Sequence, residues 1–268
     1  MYRAVKVGLV LTLLFMVVLL SQPGVVVADS GKKLGPVSGE KLVFNVRWGV
    51  VPSGTAVMNF NRVGESGYRL ESSLKSYGAM DFFFPIKDDF IVTGFESKNQ
   101  LFADVYTKKQ NENGKKRTIK FHFDRPNNKV VFSRNEESRE IPVEGAINDY
   151  MSAVYSVRKR DIKPGDSFKT TIVLEKETLY EANIWTEKRE GLATPVGYLK
   201  TIPISIVVPK SRHFKNRGDF VFWFTDDERH MLAKIKINAG VGSISMDLVE
   251  YDDGRGGSSR DLESEDDN

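Results

Sequence analysis

The sequence predicts a mainly β protein, an antiparallel meander that forms a barrel or a strongly curved half-barrel, with one packed helix near residues 149–160. Apolar and polar residues alternate with a period of two through most of the chain after residue 40, which is typical of half-buried strands. The alternating runs are short and are separated by polar turns, as in barrels and curved sheets. One segment interrupts this pattern with the spacing of an amphipathic helix.

The first strands are indicated by alternation on both sides of short turns. Apolar residues alternate over residues 42–48, again over 56–60, and again over 68–74. A Pro-Ser-Gly turn separates the first two runs, and a turn bounded by two glycines separates the second from the third. The three runs therefore predict consecutive strands of an antiparallel meander.

A tight hairpin is predicted next, between residues 101–109 and 117–123. Asn113-Gly114 lies in the turn, and this pair supplies the positive φ angles that a tight hairpin requires. The later predicted strands are residues 129–134, 139–143, 168–174, 179–186, 198–208, 220–225, 231–238 and 243–249. About a dozen short strands joined by polar turns favour a barrel or a curved sheet.

The helix is predicted over residues 149–160. Asn148 and Asp149 can cap it, because short polar side chains accept hydrogen bonds from the first N–H groups of a helix. The residues that share one face, at positions i, i+3, i+4 and i+7, are Met151, Val154, Tyr155 and Arg158. A Pro-Gly-Asp turn at 164–166 returns the chain to a strand. We expect this helix to pack against the sheet or to plug its open side.

Residues 1–28 have the pattern of a secretory signal peptide. Arg3 and Lys6 form a basic start, residues 7–20 are almost entirely apolar, and the segment ends in a small-residue pattern at Ala28. We expect cleavage after Ala28 and export to the periplasm. An uncleaved membrane anchor is the alternative, but the apolar run is shorter than the roughly 20 residues that span a bilayer. No transmembrane span is predicted once the signal peptide is removed.

The remaining chain is predicted to be a single β-barrel-like domain over residues 29–251, followed by a disordered acidic tail over residues 252–268. The tail holds seven acidic residues and two arginines with few apolar side chains, so it has little to offset the entropy of ordering. The net charge of +3 is spread along the chain, and no nucleic-acid partner is predicted. Cysteine is absent, which excludes disulfides, thiolate metal sites, a cysteine nucleophile and a lipoprotein-type lipid attachment.

The chain carries none of the common catalytic motifs. It has no Gly-x-Ser-x-Gly, no His-Glu-x-x-His and no phosphate-binding loop. Adjacent acidic pairs at 88–89, 136–137 and 226–227 would point to opposite faces of a strand, so the members of a pair cannot act together as acid and base. A non-enzymatic protein is therefore expected. A hydrolase of envelope polysaccharide, built on two carboxylates from distant strands, stays open as a lesser alternative.

The three histidines have ordinary structural interpretations. His122 alternates with two phenylalanines and should point outward. His213 lies in a basic segment that is either a solvated loop or a contact for phosphate or an anionic headgroup. His230 follows Asp226 and Asp227, which resembles a metal cluster, but a hairpin turn explains the same residues and is favoured. No metal and no cofactor are predicted.

Two apolar segments are the candidates for binding. Three consecutive phenylalanines at 82–84 cannot all face a core, so we expect a loop over the barrel mouth or a lip that contacts a lipid, a hydrophobic peptide or a partner. Residues 220–224 are apolar on both faces, so this strand is either central and covered twice or lines a cavity. The predicted ligand-binding residues are Trp48, Phe82, Phe83, Phe84, Arg158, Phe222 and Trp223.

Several motifs in order along the chain resemble a bacterial domain-of-unknown-function family, number 3108. Residues 39–56 resemble its opening G-E-x-L-x-Y/F-x-(I/V)-x-W strand and turn, and residues 149–158 its D-x-x-S-x-x-Y-x-x-R helix, which L/I-x-x-G-D follows at 162–166. Residues 223–227 resemble its W-x-(T/S)-D-D strand end, and residues 240–244 its closing strand. The resemblance covers about residues 39–251.

The resemblance implies exported, β-rich, barrel-like envelope proteins, and it implies no catalytic residue. The fold is also similar to the half-barrel of periplasmic lipoprotein carriers, whose apolar concavity a helix covers, although fold alone does not give function. The residues of the helix motif and the strand end that we expect to be structural are Asp149, Ser152, Tyr155 and Asp226. Arg158 either pairs with a strand acid such as Asp166 or holds an anionic group inside the concavity.

The leading hypothesis is an exported periplasmic protein that binds an apolar or amphipathic envelope component, a lipid or lipoprotein-like ligand, without chemistry. The alternative is a structural or partner-binding envelope protein with a solid barrel, which would contact other envelope proteins through its edges and surface. The two hypotheses differ in whether the interior of the barrel is hollow or filled.

Overall fold

The computed structural model describes residues 35–145, 147–174, 178–208, 218–239 and 242–258. The predicted signal peptide with its cleavage site, His213 and the final ten residues of the predicted tail lie outside the described residues. The described chain forms a single antiparallel sheet and two short helices. The fifteen strands are Glu40–Trp48 (β1), Val51–Val63 (β2), Gly67–Ser76 (β3), Lys87–Ser97 (β4), Gln100–Glu112 (β5), Lys115–Asp124 (β6), Lys129–Arg134 (β7), Glu137–Pro142 (β8), Ser167–Leu174 (β9), Thr178–Thr186 (β10), Glu190–Thr194 (β11), Gly197–Val207 (β12), Phe220–Thr225 (β13), Leu232–Ala239 (β14) and Gly242–Asp252 (β15).

The sheet is an open meander. Its strands follow the order β8-β7-β6-β5-β4-β3-β2-β1-β15-β14-β13-β12-β10-β9, and β11 pairs with β12 off this path. The order ends on β8 and β9, so the sheet curves without closing. This confirms the predicted mainly β fold and decides for the curved half-barrel over the closed barrel.

Both ends of the sheet limit further strand pairing. β8 is rich in exposed charged residues and ends at Pro142, and such residues discourage edge-to-edge association. Beside β9, Asn148 makes a parallel bridge to Ile172, and its carbonyl accepts a hydrogen bond from the Val173 N–H at 3.3 Å. The chain that leads into the second helix therefore covers part of the β9 edge.

The strands that come first and last in the chain, β1 and β15, lie side by side at the centre of the sheet. β1 pairs with β2 on one side and with β15 on the other, with Lys41 opposite Asp252 and Trp48 opposite Ile244. The inward side chains of β1, Leu42, Phe44 and Val46, are fully buried. This seam joins the β1–β8 half of the meander to the β9–β15 half.

The predicted Asn-Gly hairpin is present between β5 and β6. Asn113 and Gly114 have φ angles of 52° and 76°, both positive as a tight two-residue turn requires. β5 and β6 then stay in register from Glu112 opposite Lys115 to Val105 opposite His122. His122 is exposed between the buried residues Phe121 and Phe123, as predicted.

The two helices are α1, Gly78–Phe83, and α2, Tyr150–Val157. α2 is shorter than the predicted 149–160: Asp149 is its N-cap, and after Val157 the chain tightens into i to i+3 turns at Lys159 and Arg160. α1 occupies the segment predicted as a loop or lip. No helix in the described ranges is long and apolar enough to cross a membrane.

The C-terminal boundary of the fold lies beyond the predicted one. β15 continues to Asp252, which bridges to Ser258, and the Asp253 carboxylate accepts hydrogen bonds from the N–H groups of Arg255 and Gly257. The Arg255 guanidinium also donates to the carbonyl of Gly35 at 3.1 Å. These contacts order residues 252–258, so the prediction that the tail is disordered from residue 252 is wrong for this part.

Candidate binding surface

The structure does not bring the predicted ligand-binding residues together. Phe222 is buried on the inner face of β13, with its ring centroid 4.7 Å from that of Phe220 and 6.0 Å from that of Phe224. Trp223 points to the other face, where its indole N–H donates to the Glu190 carboxylate at 2.6 Å. Trp223 is half-buried, whereas Val221 and Thr225 on the same face are buried, so the outer face of β13 is partly covered by protein.

Arg158 is a core residue that binds a carboxylate of its own chain. It is fully buried, and its two terminal nitrogens each donate to an oxygen of Glu40 at 2.5 Å. Its remaining donors reach the carbonyls of His230 at 2.8 Å and Arg229 at 3.1 Å, and its guanidinium lies 4.8 Å from the ring centroid of Tyr155. The guanidinium is thus occupied, and the structure gives it no exposed face with which to hold an anionic ligand.

The partner of Arg158 is a strand acid, as one alternative expected, but it is Glu40 and not Asp166. Asp166 instead accepts a hydrogen bond from the Lys163 N–H at 3.0 Å, within the turn that precedes β9. Burial opposes the positive charge of Arg158, but the adjacent Glu40 carboxylate outweighs it and raises the pKa of Arg158. The pair fastens α2 to the first strand of the sheet.

His230 belongs to the same cluster. It is buried at the end of the β13–β14 turn, and its Nδ1 lies 2.9 Å from the Arg158 carbonyl. Burial lowers its pKa. Asp226, in the same turn, accepts a hydrogen bond from the Arg189 guanidinium at 2.7 Å. Within the described ranges, no group of three or more His, Asp or Glu side chains is arranged to hold a metal ion.

The motif residues at the start of α2 form a buried polar network. Asp149 caps the helix by accepting from the N–H groups of Met151 at 2.8 Å and Ser152 at 3.1 Å, as predicted. The Ser152 hydroxyl donates to Asp149 at 2.5 Å and lies 2.7 Å from the Tyr68 hydroxyl. Burial raises the pKa of Asp149 to about 6 and also raises the pKa of Tyr68. The network holds the helix to β3.

α2 occupies the concave face of the sheet. All eight of its residues are buried, and the ring of Tyr155 stacks on that of Phe60 with centroids 5.7 Å apart. The Tyr150 and Tyr106 hydroxyls lie 2.8 Å apart, and the Ser156 hydroxyl accepts from the Leu101 N–H at 3.1 Å. Protein side chains therefore take the place that a ligand would have in an open half-barrel.

A second buried ion pair was missed at the sequence level. The Lys108 ammonium lies 3.1 Å from an Asp88 oxygen, both side chains are fully buried, and the ammonium is 5.3 Å from the centroid of the Phe90 ring. A signal was present, because Lys108 alternates with Tyr106 and therefore shares its inward phase on β5. The Asp88–Asp89 pair does split between the two faces, with Asp88 inward, as the strand period requires.

The outward-facing aromatic residues lie on α1. Phe82 is 81% exposed and Phe83 is 66% exposed, and their rings meet edge to face with centroids 5.0 Å apart. Phe84 folds back against the core, and Met80 anchors the helix as its buried residue. Of the three consecutive phenylalanines, two thus leave the core and one packs on it.

The β1–β2 turn brings further apolar residues to the same end of the sheet. Val50 is 91% exposed, and Val51 is also exposed. The Tyr77 N–H donates to the Ser53 carbonyl at 3.2 Å, which ties the start of α1 to this turn. We call Val50, Val51, Tyr77, Phe82 and Phe83 the apolar tip. Trp48, at the end of β1, packs partly against the core and against the backbone of Gly242.

Two shallow grooves lie on the outer face of the sheet. A groove of about 370 Å³ is next to the base of α1, and its lining residues are Lys87, Asp89, Lys109, Gln110, Asn111, Lys116, Arg117 and Thr118. The other, of about 380 Å³, lies under the β11–β12 turn, and its lining residues are Asn45, Arg47, Ala193, Thr194, Pro195, Lys234, Asp247 and Val249. We call the first the basic groove.

Residues 43–249 match the model of a family described as "Protein of unknown function (DUF3108)". No curated protein matches the chain. Among solved structures, the fold is similar to a β-barrel-like protein of domain of unknown function DUF1849 from Brucella abortus, with a TM-score of 0.54 at 11% identity over 81% of this chain and 98% of that one.

Two other solved structures are less similar. A hypothetical protein from Chlamydia trachomatis has a TM-score of 0.38 at 10% identity over 81% of this chain and 87% of that one. A candidate exported protein with a YmcC-like fold from Bacteroides fragilis has a TM-score of 0.34 at 10% identity over 82% of this chain and 99% of that one. At 11% identity, the similarity to the Brucella abortus protein shows the β-barrel-like fold alone.

Proposed function

The chain belongs to the DUF3108 family of proteins of unknown function, and we propose that this member is an exported, non-enzymatic envelope protein that binds an apolar or amphipathic envelope component at its apolar tip. In this proposal the ligand binds on the outside of the half-barrel, at one end of the sheet. The signal-like leader and the absence of catalytic motifs support an exported binding protein over an enzyme.

The exposure of Phe82 and Phe83 is the observation that carries this proposal. Burying one such ring is worth about 1.5–3 kcal/mol, and α1 forgoes this at two adjacent positions, although it buries Met80 and the next residue, Phe84, packs partly against the core. Apolar side chains that cluster on a surface mark contact sites more often than single exposed ones do. The apolar tip collects five such residues on two connected segments.

The interior offers less support for a bound cargo. α2 and the rings of Phe60, Tyr106 and Tyr155 occupy the concave face, and four of the buried charged side chains form the Glu40–Arg158 and Asp88–Lys108 pairs. This arrangement favours a filled interior, as in the solid-barrel alternative. The proposal retains the amphipathic ligand of the leading hypothesis and assigns it to the outer surface. The same pairing leaves these buried carboxylates poorly suited to act as a catalytic acid and base.

The test uses a neutral amphiphile, so that charge plays no part. The purified protein is titrated with dodecyl maltoside micelles, and amide chemical shifts are followed by NMR. We expect shifts at residues of α1 and of the β1–β2 turn, and we expect Phe82→Ser/Phe83→Ser to abolish them. Tyr198→Ser is the matched control, because Tyr198 is 74% exposed on the β11–β12 hairpin in the other half of the sheet.

Unchanged micelle binding in the double variant would overturn the proposal. A lipid that stays bound to the double variant in native mass spectrometry, and that organic extraction removes, would instead identify an interior carrier. If neither binding nor a bound lipid is found, the partner-binding alternative takes its place.

A further inference from the structure

We propose that the apolar tip and the basic groove together form one docking surface for an anionic phospholipid bilayer. This inference rests on the proposed function, because it assigns the amphipathic component that the apolar tip binds. The chemistry it requires is a row of phosphate groups next to an acyl layer.

The cations begin at the base of α1. Lys75 is the last residue but one of β3, Lys87 is the first of β4, and α1 is the connection between the two strands. Lys75 and Lys87 lie directly opposite each other across the β3–β4 ladder, and both are exposed. Like charges at directly opposite positions repel, so this arrangement gains from an external anion.

The positive charge continues across the next two strands. Lys109 on β5 lies opposite Asp89 on β4, and Lys116 on β6 lies opposite Asn111 on β5. Lys109, Lys116 and Arg117 are exposed and line the basic groove with Lys87. Asp89 is the one acidic residue among the lining residues, against four cations.

These cations are not compensated within the fold. Lys75, Lys87, Lys109, Lys116 and Arg117 make no ion pair with any residue of the part of the chain that the structure describes. The other groove provides the internal comparison. There the two cations, Arg47 and Lys234, both bind Asp247, at 2.7 and 2.8 Å. The lining of that groove carries a net charge of +1 with both cations in ion pairs, whereas the lining of the basic groove, beside the exposed aromatics, carries +3.

The order of the chemistry fits a bilayer. Phe82 and Phe83 lie on the short helix beyond the strand ends, and Lys75 and Lys87 lie where the strands begin and end. Aromatic rings that enter the acyl boundary would therefore place the ammonium groups at the level of the phosphates, as in other interfacial anchors. A free phosphate would use the lysines but leave the rings in water, so the exposed rings favour a bilayer as the occupant.

The experiment measures sedimentation of the purified protein with two kinds of vesicle, phosphatidylethanolamine with phosphatidylglycerol and phosphatidylethanolamine with phosphatidylcholine. We expect binding to the phosphatidylglycerol vesicles, weakened by salt. Near an anionic surface each lysine contributes about fivefold, equivalent to ~1 kcal/mol. The variant Lys75→Gln/Lys87→Gln/Lys109→Gln should therefore bind about a hundredfold more weakly.

The matched control removes the same charge elsewhere. Lys188, Lys200 and Lys236 are exposed and lie in the other half of the sheet. We expect their triple Gln variant to keep binding within about threefold of the unchanged protein, because only the net charge differs. Thermal melts of both variants verify folding, and all six substitutions are at exposed sites.

If both triple variants lose vesicle binding equally, the net charge of the protein explains the binding and the inference is overturned. Equal binding of the unchanged protein to both kinds of vesicle would also overturn it. Competition by inorganic phosphate at constant ionic strength would reassign the groove to a small anion and also overturn it. In these cases the neutral micelle result still decides the proposed function separately. If Phe82→Ser/Phe83→Ser leaves vesicle binding intact while the lysine variant abolishes it, the combined surface is refuted, and the micelle titration still decides the proposed function.

Discussion

Replacing Arg158 with methionine removes the cation that faces Glu40 inside the protein. Both side chains are essentially excluded from solvent, and the substitution removes two N–H···O contacts to the carboxylate and two to backbone carbonyls. Taking one partner from a buried ion pair costs about 3–5 kcal/mol, because the other charge is left buried without compensation. In a domain of this size each kcal/mol lowers the melting temperature by about 2–4 °C, so a drop of roughly 6–20 °C is expected.

The assay is urea unfolding of three variants: Arg158→Met, Glu40→Met and the double variant. Replacing both charges with apolar side chains of similar size removes the uncompensated charge, and such replacements are often close to neutral. The carbonyls of Arg229 and His230 lose their donor in either case, so about 2 kcal/mol of the loss should remain in the double variant. A loss below about 1 kcal/mol in Arg158→Met, or a double variant as unstable as that single one, would refute the reasoning.

Three further predictions concern the helix cap and two glycines. The pKa of Asp149 is about 6 in the folded protein, above its unfolded value of about 3.9, so its contribution to stability is complete below about pH 4 and is lost as the pH rises through about 6. The stability difference that this carboxyl group causes between pH 4 and 7 is about 2 kcal/mol and should be absent in Asp149→Asn, and equal pH profiles of the two proteins in urea titrations would contradict this. Gly94→Ala should cost more than about 2 kcal/mol in the same unfolding assay, because its Cβ would lie 2.1 Å from the Phe102 carbonyl oxygen on the adjacent strand. Gly114→Ala should lower the free energy of unfolding by only about 1 kcal/mol, because no atom lies within 4 Å of the added Cβ and only the positive φ of 76° is strained. A larger loss for Gly114→Ala than for Gly94→Ala would contradict both predictions.

The strands that could be predicted are those whose inward positions are uniformly apolar. β1 is an example, because Leu42, Phe44 and Val46 are all buried on one face. β4 was missed because it opens with charged residues and turns Asp88 inward, where Lys108 of the next strand compensates it. A period-two pattern does not reveal an inward charge whose partner comes from another strand.

The helix was predicted in place, but its burial was not. The spacing indicated one apolar face, whereas all of residues 150–157 are buried. The absence of any charged residue in this segment is the signal for a helix covered on every side. Its polar side chains are satisfied by distant groups, such as the Leu101 backbone for Ser156 and the Tyr68 hydroxyl for Ser152, and no local pattern encodes those contacts.

The candidate site was predictable in one part only. Three adjacent phenylalanines could not all face a core, and Phe82 and Phe83 are indeed exposed. Arg158 was predicted to bind a ligand. Its actual partner, Glu40, could not be identified from the sequence, because it is 118 positions away. The alternation of Glu40 with Leu42 places this acid on the inner face, but spacing alone does not say which cation it meets.

The pairing of β1 with β15 affects the order in which the strands of the sheet can pair during folding. Lys41 and Glu250 pair across a separation of 209 residues, whereas most neighbouring strands within each half are joined by short turns. Contacts between residues so far apart close late and slow the folding of β-rich chains. As the chain is synthesised from its N terminus, one edge of β1 stays open until residues 242–252 have been made. Truncation inside the last strand would therefore leave an unpaired strand at the centre of the sheet, where the two halves of the protein should join.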